Sequence, residues 1–296
     1  MEFLDVVANS SVRLMVPLLF ATLGELISER AGVLNVGLEG MMTVGAFTAY
    51  VVAISGFGLP AAIVLAALFG LIAGSFMAHG AVWMRGNAIL VGFALFILLP
   101  GIANFLFIQG GSNDATPFLS DISIPYFSKI PFIGKIFFAQ NVFYYVVVVL
   151  TALVWIMFAY TRAGLIISAV GHDPVKASTK GIAPRLVQTY AVLTCGAFAG
   201  LGGAALSLGA VGSYAPNIIG GRGFIVLAIV ILGRWTVLGA AAGAFLMGSL
   251  DALKLNLSRV SDIPINLLSG LPWIVVILIL IVSARMRSNA PRTLVS

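Results

Sequence analysis

Glu25, Asn35, Glu39, Arg222 and Arg234 are polar or charged residues that lie inside or at the edge of apolar runs. Charge and irregular backbone at membrane depth persist only where protein or a water-filled cavity surrounds them. A carboxylate or amide held there can bond a polar solute, and a guanidinium can gate its way. The same ionisable groups at a helix end would simply reach water along their stems. Both readings stand for Glu25 and Arg234. The flanking glycines Gly37 and Gly40, which expose backbone, tip Glu39 toward lining a path. Asn35 can donate and accept, and it suits equally well the cap of a helix beginning near Val36.

No soluble-enzyme constellation assembles beside these residues. His79 and His172 lie on different segments, and Cys195 is the single cysteine, so no metal cluster has the right spacing. Gly134-Lys135 is followed by Ile136, which excludes a Walker-type phosphate loop. If ATP powers this protein, another chain binds it, and the chain itself is expected to hold no cofactor.

The elements that must position these groups are membrane elements. The 296 residues are 60% hydrophobic and 9% charged, with mean hydropathy +1.11. A soluble surface needs about 25% charged residues, so a polytopic membrane protein follows, read as one domain over 1–296. The net charge of +6 is scattered at segment ends rather than gathered in a patch, which argues against nucleic acid and for the cytoplasmic-loop bias of membrane proteins. Glu2 and Asp5 precede the first apolar stretch without a basic leader region, so that stretch is expected to remain in the mature protein.

Measured against about 20 apolar residues per crossing, spans fall at Leu14–Ile27 (interrupted by Pro17 and Gly24), Val33–Ile54 (broken at its glycine-rich start), Ala61–Trp83 and Ala88–Phe107 (broken at Pro100-Gly101). Gly110–Gln140 reads as a loop with short interfacial helices. Val142–Tyr160 is the cleanest span. Leu186–Leu208, the short Phe224–Leu232, Val237–Leu253 and Leu267–Val282 follow. The expected fold is an all-α polytopic bundle of about eight to ten membrane elements. It has two weakly repeated halves, about 1–140 and 186–284, with broken or re-entrant helices.

Arg162, Lys176, Lys180 and Arg185 stand against Asp173 alone in the stretch 161–185, and the tail 285–296 carries three arginines and no acid. Both are placed in the cytoplasm by their positive charge. An even number of crossings must then separate them, so Phe224–Leu232 is expected to fold as a broken or re-entrant piece that completes the count. The side of the N-terminus stays open. The order of a charged broken segment followed by a small-residue helix occurs twice, with Gly70, Gly74 and Gly80 in one half and Gly239, Gly243 and Gly248 in the other. Small residues four apart let helices pack closely in lipid, while paired interruptions point to a transport path.

The segment from Gly171 to Gly181 predicts a short helix between glycines, with Asp173 as N-cap and Pro174 at the first helical position. Taken alone, it is either an ordinary solvated helix or a docking helix for a cytoplasmic partner.

The stretch Ser28-Glu29-Arg30-Ala31-Gly32-Val33-Leu34-Asn35-Val36-Gly37-Leu38-Glu39-Gly40-Met41-Met42 resembles the signature of the nucleoside-type branch of ABC importer permeases, within the branched-chain amino acid, ribose and nucleoside superfamily. Gly221–Ala228 running to Gly233-Arg234-Trp235 and Leu238-Gly239 is a second match. Gly171–Gly181 is similar to the family's coupling segment. This resemblance covers nearly the whole chain. It implies a permease of the bacterial plasma (inner) membrane that pairs with a second permease, a cytoplasmic ABC ATPase and an extracytoplasmic binding protein or lipoprotein, with 110–140 outside. It implies a substrate path past Glu25, Asn35, Glu39, Phe96 and Arg222. It also implies ATPase coupling through Gly171, His172, Asp173, Pro174, Lys176, Ala177 and Gly181. Two departures stand out: Ser168-Ala169-Val170-Gly171-His172 replaces the usual Arg-Ala-Val-Gly-Glu, and Phe96 takes the place of an asparagine common in the fourth segment. Nucleosides or related small polar solutes are the expected cargo. Simple sugars, riboflavin and branched-chain amino acids are alternatives for the same machine, and an ion-coupled secondary transporter is the rival of another class.

Overall fold

Apolar composition with few interior turn residues produces long helices, and helices dominate the computed structural model, which describes residues 2–110, 116, 119, 122–123, 136–260, 270, 274–275, 277 and 291–295. The helices are α1 (Glu2–Arg30), α2 (Leu38–Ile54), α3 (Leu59–Ala78, continued by a π-turn at His79–Trp83), α4 (Ala88–Gly110), α5 (Val142–Tyr160), α6 (Arg162–His172), α7 (Pro174–Thr179), α8 (Pro184–Ala204, continued by a π-turn at Ala205–Val211), α9 (Arg222–Leu232), α10 (Val237–Val260) and the short α11 (Arg292–Val295). Among the described residues, six helices are long and apolar enough to cross a membrane, and α2 and α9 are shorter apolar helices. This is the expected polytopic helical bundle. Leu267–Val282, the final expected span, lies mostly outside the described residues, so the crossing parity is not decided.

Two expected interruptions do not occur. α1 runs unbroken through Pro17, and α4 runs unbroken through Pro100. A proline removes one intrahelical hydrogen bond, and here the rest of the ladder on either side holds the helix together. The breaks fall elsewhere. α1 ends at Gly32 (φ 87°), where the Gly32 N–H donates to the Glu29 carbonyl (2.9 Å) and the Val33 N–H to the Ser28 carbonyl (3.1 Å). That paired closure by a left-handed residue is a helix stop, and it frees residues 31–37 to run irregularly before α2. In the expected loop Gly110–Gln140, the described part holds a two-residue antiparallel pairing of β1 (Ile122–Ser123) with β2 (Ala139–Gln140). Asp114, Asp121, Lys129 and Lys135 lie outside the described residues.

Packing is reciprocal. α3 packs most heavily on α8, and α10 on α1. Gly74 faces Val192 and Gly196 of α8, and Gly248 meets the Met15 backbone, where a Cβ would come within 2.7 Å of the amide nitrogen. The small-residue rows therefore serve close helix approach. Of the six candidate spans, α4 and α5 are the least covered by protein, each 17% buried over its apolar window.

One end of the bundle gathers the C-terminus of α1, the α6–α7 segment, the start of α8 and the tail. Gly171 packs on the Arg30 carbonyl and the Gly32 amide. Gln188 donates to the Ala31 carbonyl (3.2 Å), and the Thr293 hydroxyl donates to the Gly171 carbonyl (2.7 Å).

Candidate functional site

The five residues expected along the path separate into three places. Glu39 and Phe96 border one cavity of about 300 Å³, lined also by Thr43, Pro100, Asn104, Asn217, Gly220, Gly221 and Phe224. Glu39 sits in the first turn of α2, and the start of α9 comes to meet it. Its two carboxylate oxygens accept hydrogen bonds from the Gly221 N–H (2.7 Å) and the Gly223 N–H (2.8 Å). These are orphan donors of a helix N-terminus, where an anion is favoured by both hydrogen bonding and dipole. Gly223 is required by this approach, because a Cβ would lie 2.6 Å from the Glu39 amide nitrogen. Two short helices thus begin face to face at a cavity, the arrangement that places ligands at broken helices in transporters.

Phe96 stacks edge-on against Phe224, with centroids 5.2 Å apart and planes at 66°. Asn104, half-buried on α4, accepts a hydrogen bond from the Tyr214 hydroxyl through its Oδ1 (2.8 Å). The polar amide missing at position 96 is therefore supplied to the same cavity from one end of α4, by Asn104, and from the loop before α9, by Asn217. Asn104, Asn217, Thr43 and Phe224 escaped sequence reasoning. Only the periodicity of α4 carries a trace, since Phe96, Pro100 and Asn104 recur at i, i+4 and i+8 on one helix face.

Glu25 and Asn35 are elsewhere, in a fully buried cluster. Glu25 Oε1 accepts the Asn35 backbone N–H (2.9 Å), and the Cys195 thiol donates to Oε2 (3.3 Å). The Asn35 amide nitrogen lies 3.3 Å from Met41 Sδ and 3.4 Å from Cys195 Sγ. One turn further along α1, Glu29 accepts from the Trp235 indole N–H (2.5 Å). Trp235 follows Arg234 in a turn where both take positive φ (54° and 53°), unusual for bulky residues. The turn is closed by the Arg234 N–H on the Ile231 carbonyl and the Trp235 N–H on the Val230 carbonyl. Asn35 is not the cap of α2. Its Oδ1 accepts from the Gly37 N–H (3.1 Å) in a turn ahead of the helix, which begins at Leu38 with no side-chain cap. The extra irregular residues exist because Gly32 stops α1 early and the chain needs that length to turn back.

Arg222 is a brace. Its guanidinium holds the carbonyls of Ile218 (3.3 Å) and Ile219 (3.0 Å) and pairs with Asp251 (2.9 Å), which also pairs with Lys254 (3.3 Å).

Apart from these three places stands the α6–α7 segment at the gathered end, where the expected coupling residues lie. Asp173 caps α7: its Oδ1 accepts the Lys176 N–H (2.9 Å), its Oδ2 pairs with the Lys176 ammonium (3.0 Å), and Pro174 opens the helix. The Lys176 N–H, followed by the Lys176 side chain, holds the Asp173 carboxyl below its ordinary value. Ala177 is buried and accepts from Ile182 (3.2 Å), while Gly181 (φ 79°) closes the turn. His172 ends α6, and Val175 and Lys176 point outward. Beside them a groove of about 700 Å³ runs between α7, the end of α3 and the start of α8, with Arg85 and Arg185 on its walls. No group of His, Cys, Asp and Glu able to hold a metal occurs among the described residues.

The family described as branched-chain amino acid transport system / permease component matches residues 7–282. A nucleoside ABC transporter permease of Lactococcus lactis is 32% identical, aligned over 94% of this chain and 92% of its own. A guanosine ABC transporter permease of Bacillus subtilis is also 32% identical over the same shares. A Haloferax volcanii protein provisionally named as a glucose ABC transporter permease is 35% identical over 88% of this chain and 80% of its own.

Proposed function

Because the chain belongs to the family of branched-chain amino acid transport system permease components, we propose that it is the membrane-spanning permease of an ATP-binding-cassette importer for nucleosides or related small polar solutes. A second permease, a cytoplasmic ATPase and an extracytoplasmic binding protein or lipoprotein complete the machine. The observation that carries the cargo is the cavity beside Glu39, in which aromatic faces and two side-chain amides stand together with no cation among the described lining residues. Relatives named for nucleosides support the same reading at nearly full length. The relative named for glucose keeps a sugar as the second cargo.

In this reading the gathered end, with 161–185 and the tail, faces the cytoplasm. α1 is 29 residues long and finishes at that end, and on this reading its N-terminus lies on the opposite, outer side. Residues 171–181 touch the ATPase. The rigid attachment of Gly171 to α1 and of the tail to Gly171 would carry movement of α7 into the helix that leads to the Glu39 region. Alternating access then opens the cavity to one side or the other.

Reconstitution of the full complex in proteoliposomes tests this. ATP should drive nucleoside uptake. Uptake that ignores ATP and follows an ion gradient would overturn the importer, and competition by sugars but not nucleosides would reassign the cargo. Gly181→Pro should abolish uptake while the binding protein keeps its affinity, because proline cannot take φ 79° or supply the N–H that Gly181 donates to Ser178. Normal transport by that variant would remove the coupling role from the segment.

A further inference from the structure

Among the described residues, Glu39 is the only charged side chain lining the cavity, and both its oxygens are already engaged by the amides that open α9. Its charge is spent on the scaffold. Two kinds of surface remain for a solute. One is aromatic: Phe96 and Phe224 hold each other's orientation edge-to-face. The other is amide. The Tyr214 hydroxyl fixes Asn104 through Oδ1 and leaves its Nδ2 donor without a partner among the described residues, and the Asn217 side chain makes no hydrogen bond there. We infer that Phe96 and Phe224 form the stacking wall, and Asn104 and Asn217 the hydrogen-bonding edge, of a subsite for the planar heterocycle of an uncharged solute, with Glu39 as the positioning residue that keeps the α9 N-terminus against it. This rests on the importer reading and names the part of the solute that the permease recognises.

The chemistry separates solute classes. A zwitterionic amino acid or a phosphate ester would enter with no free countercharge, and a desolvated charge in such a place is costly. A neutral base meets no such cost. It stacks on an aromatic face whatever its substituents, and an oriented amide offers a donor to its edge. A wall of this kind tolerates several bases, which fits a permease that passes what its binding protein delivers. The volume, about 300 Å³, lies at the small end of ligand pockets.

The test uses the complete importer in proteoliposomes, with an uncharged nucleoside and with ribose as the ring-free counterpart. Asn104→Leu and Phe224→Leu should each cut nucleoside uptake about tenfold, the effect of losing a stacking face or an edge bond. Ribose uptake should change by less than about twofold. Asn104→Gln and Phe224→Tyr, which keep amide and ring, should recover most of the rate and so separate recognition from misfolding. Glu39→Gln should slow both solutes in proportion and leave their ratio unchanged. Leucine variants that import nucleoside at the wild-type rate would overturn the subsite, as would conservative variants that fail equally in an intact complex. Absence of ATP-driven nucleoside uptake in the wild type would instead overturn the cargo reading itself, so the two failures are distinct.

Discussion

Glu25 and Glu39 are the same residue type, each buried in an apolar setting near a glycine, one within α1 and the other in the first turn of α2, yet the protein uses them in opposite ways. Glu39 joins the first turn of α2 to the first turn of α9 at the wall of a cavity. Glu25 closes a fully buried seam between α1, the turn before α2 and α8. Both are hydrogen-bonded, as buried carboxylates must be. What differs is whether the bonded groups border a space that a solute can enter. An ionisable residue at membrane depth therefore marks a place that protein must solvate, and only the geometry says whether that place is a path or a joint.

The sharpest way to break this contrast is steric. Gly223→Val would force α9 away from the Glu39 backbone and should lower uptake about a hundredfold, the scale of a 1 Å misplacement at a working site. At Gly101 on α4 an added Cβ meets nothing within 4 Å, and Gly101→Val should be nearly silent. Equal losses in the two variants would mean that the α2–α9 contact has no special place in transport. Next in size is the carboxylate exchange itself. Glu39→Gln removes the anion from a helix N-terminus and should slow uptake about tenfold without dissociating the complex, from the loss of a charge-assisted bond. Glu25→Gln keeps its acceptor for the Asn35 N–H and should stay within about twofold. The reverse order would move the path to the sealed cluster.

A smaller effect probes the seam as a joint. Trp235→Phe deprives the buried Glu29 of its indole donor and should cost about 1–3 kcal/mol, read as a lower unfolding temperature of the purified chain with the solute dependence of uptake unchanged. A change in solute preference instead would tie the seam to recognition. The least effect is expected at Asp173, which is exposed and caps α7. Because its carboxyl is held below the usual range, the cap is present above the ordinary aspartate value, near pH ~4, and fades as pH falls through the lower folded value. Protection of the amides of residues 175–179 against exchange should thus be unchanged between pH ~8 and ~6 and weaker in Asp173→Ala. A loss of protection on going from pH ~8 to ~6, where an aspartate does not titrate, would contradict the cap.

Much of the helical layout was legible in the sequence because apolar length is a local property. Val142–Tyr160 was read with its boundaries as they stand, and Asp173-Pro174 announced a capped helix because capping depends on four consecutive residues. Pro17 and Pro100 misled for the opposite reason. Proline costs a helix one backbone bond and the remaining ladder decides whether it breaks: α1 is held by α8, α10 and α9, whereas α4 runs on through Pro100 although little protein covers it. The cavity was half legible. Glu39 stood out by charge, whereas Asn104 and Asn217 are ordinary amides whose importance comes only from meeting Phe96 and Phe224.

The amino-acid order alone determined that this chain lives in a membrane, where most of its helices run, that α9 is short, and which charges need shelter, since each follows from transfer energies and turn preferences acting over a few residues. Only the tertiary structure decided that Glu39 serves the amides of a helix 182 to 184 residues away, that Glu25 is sealed by Cys195, and that Arg222 braces a loop. Those outcomes depend on which helix N-terminus or thiol arrives opposite a carboxylate. Packing of the whole bundle sets that arrival, and no local spacing encodes it.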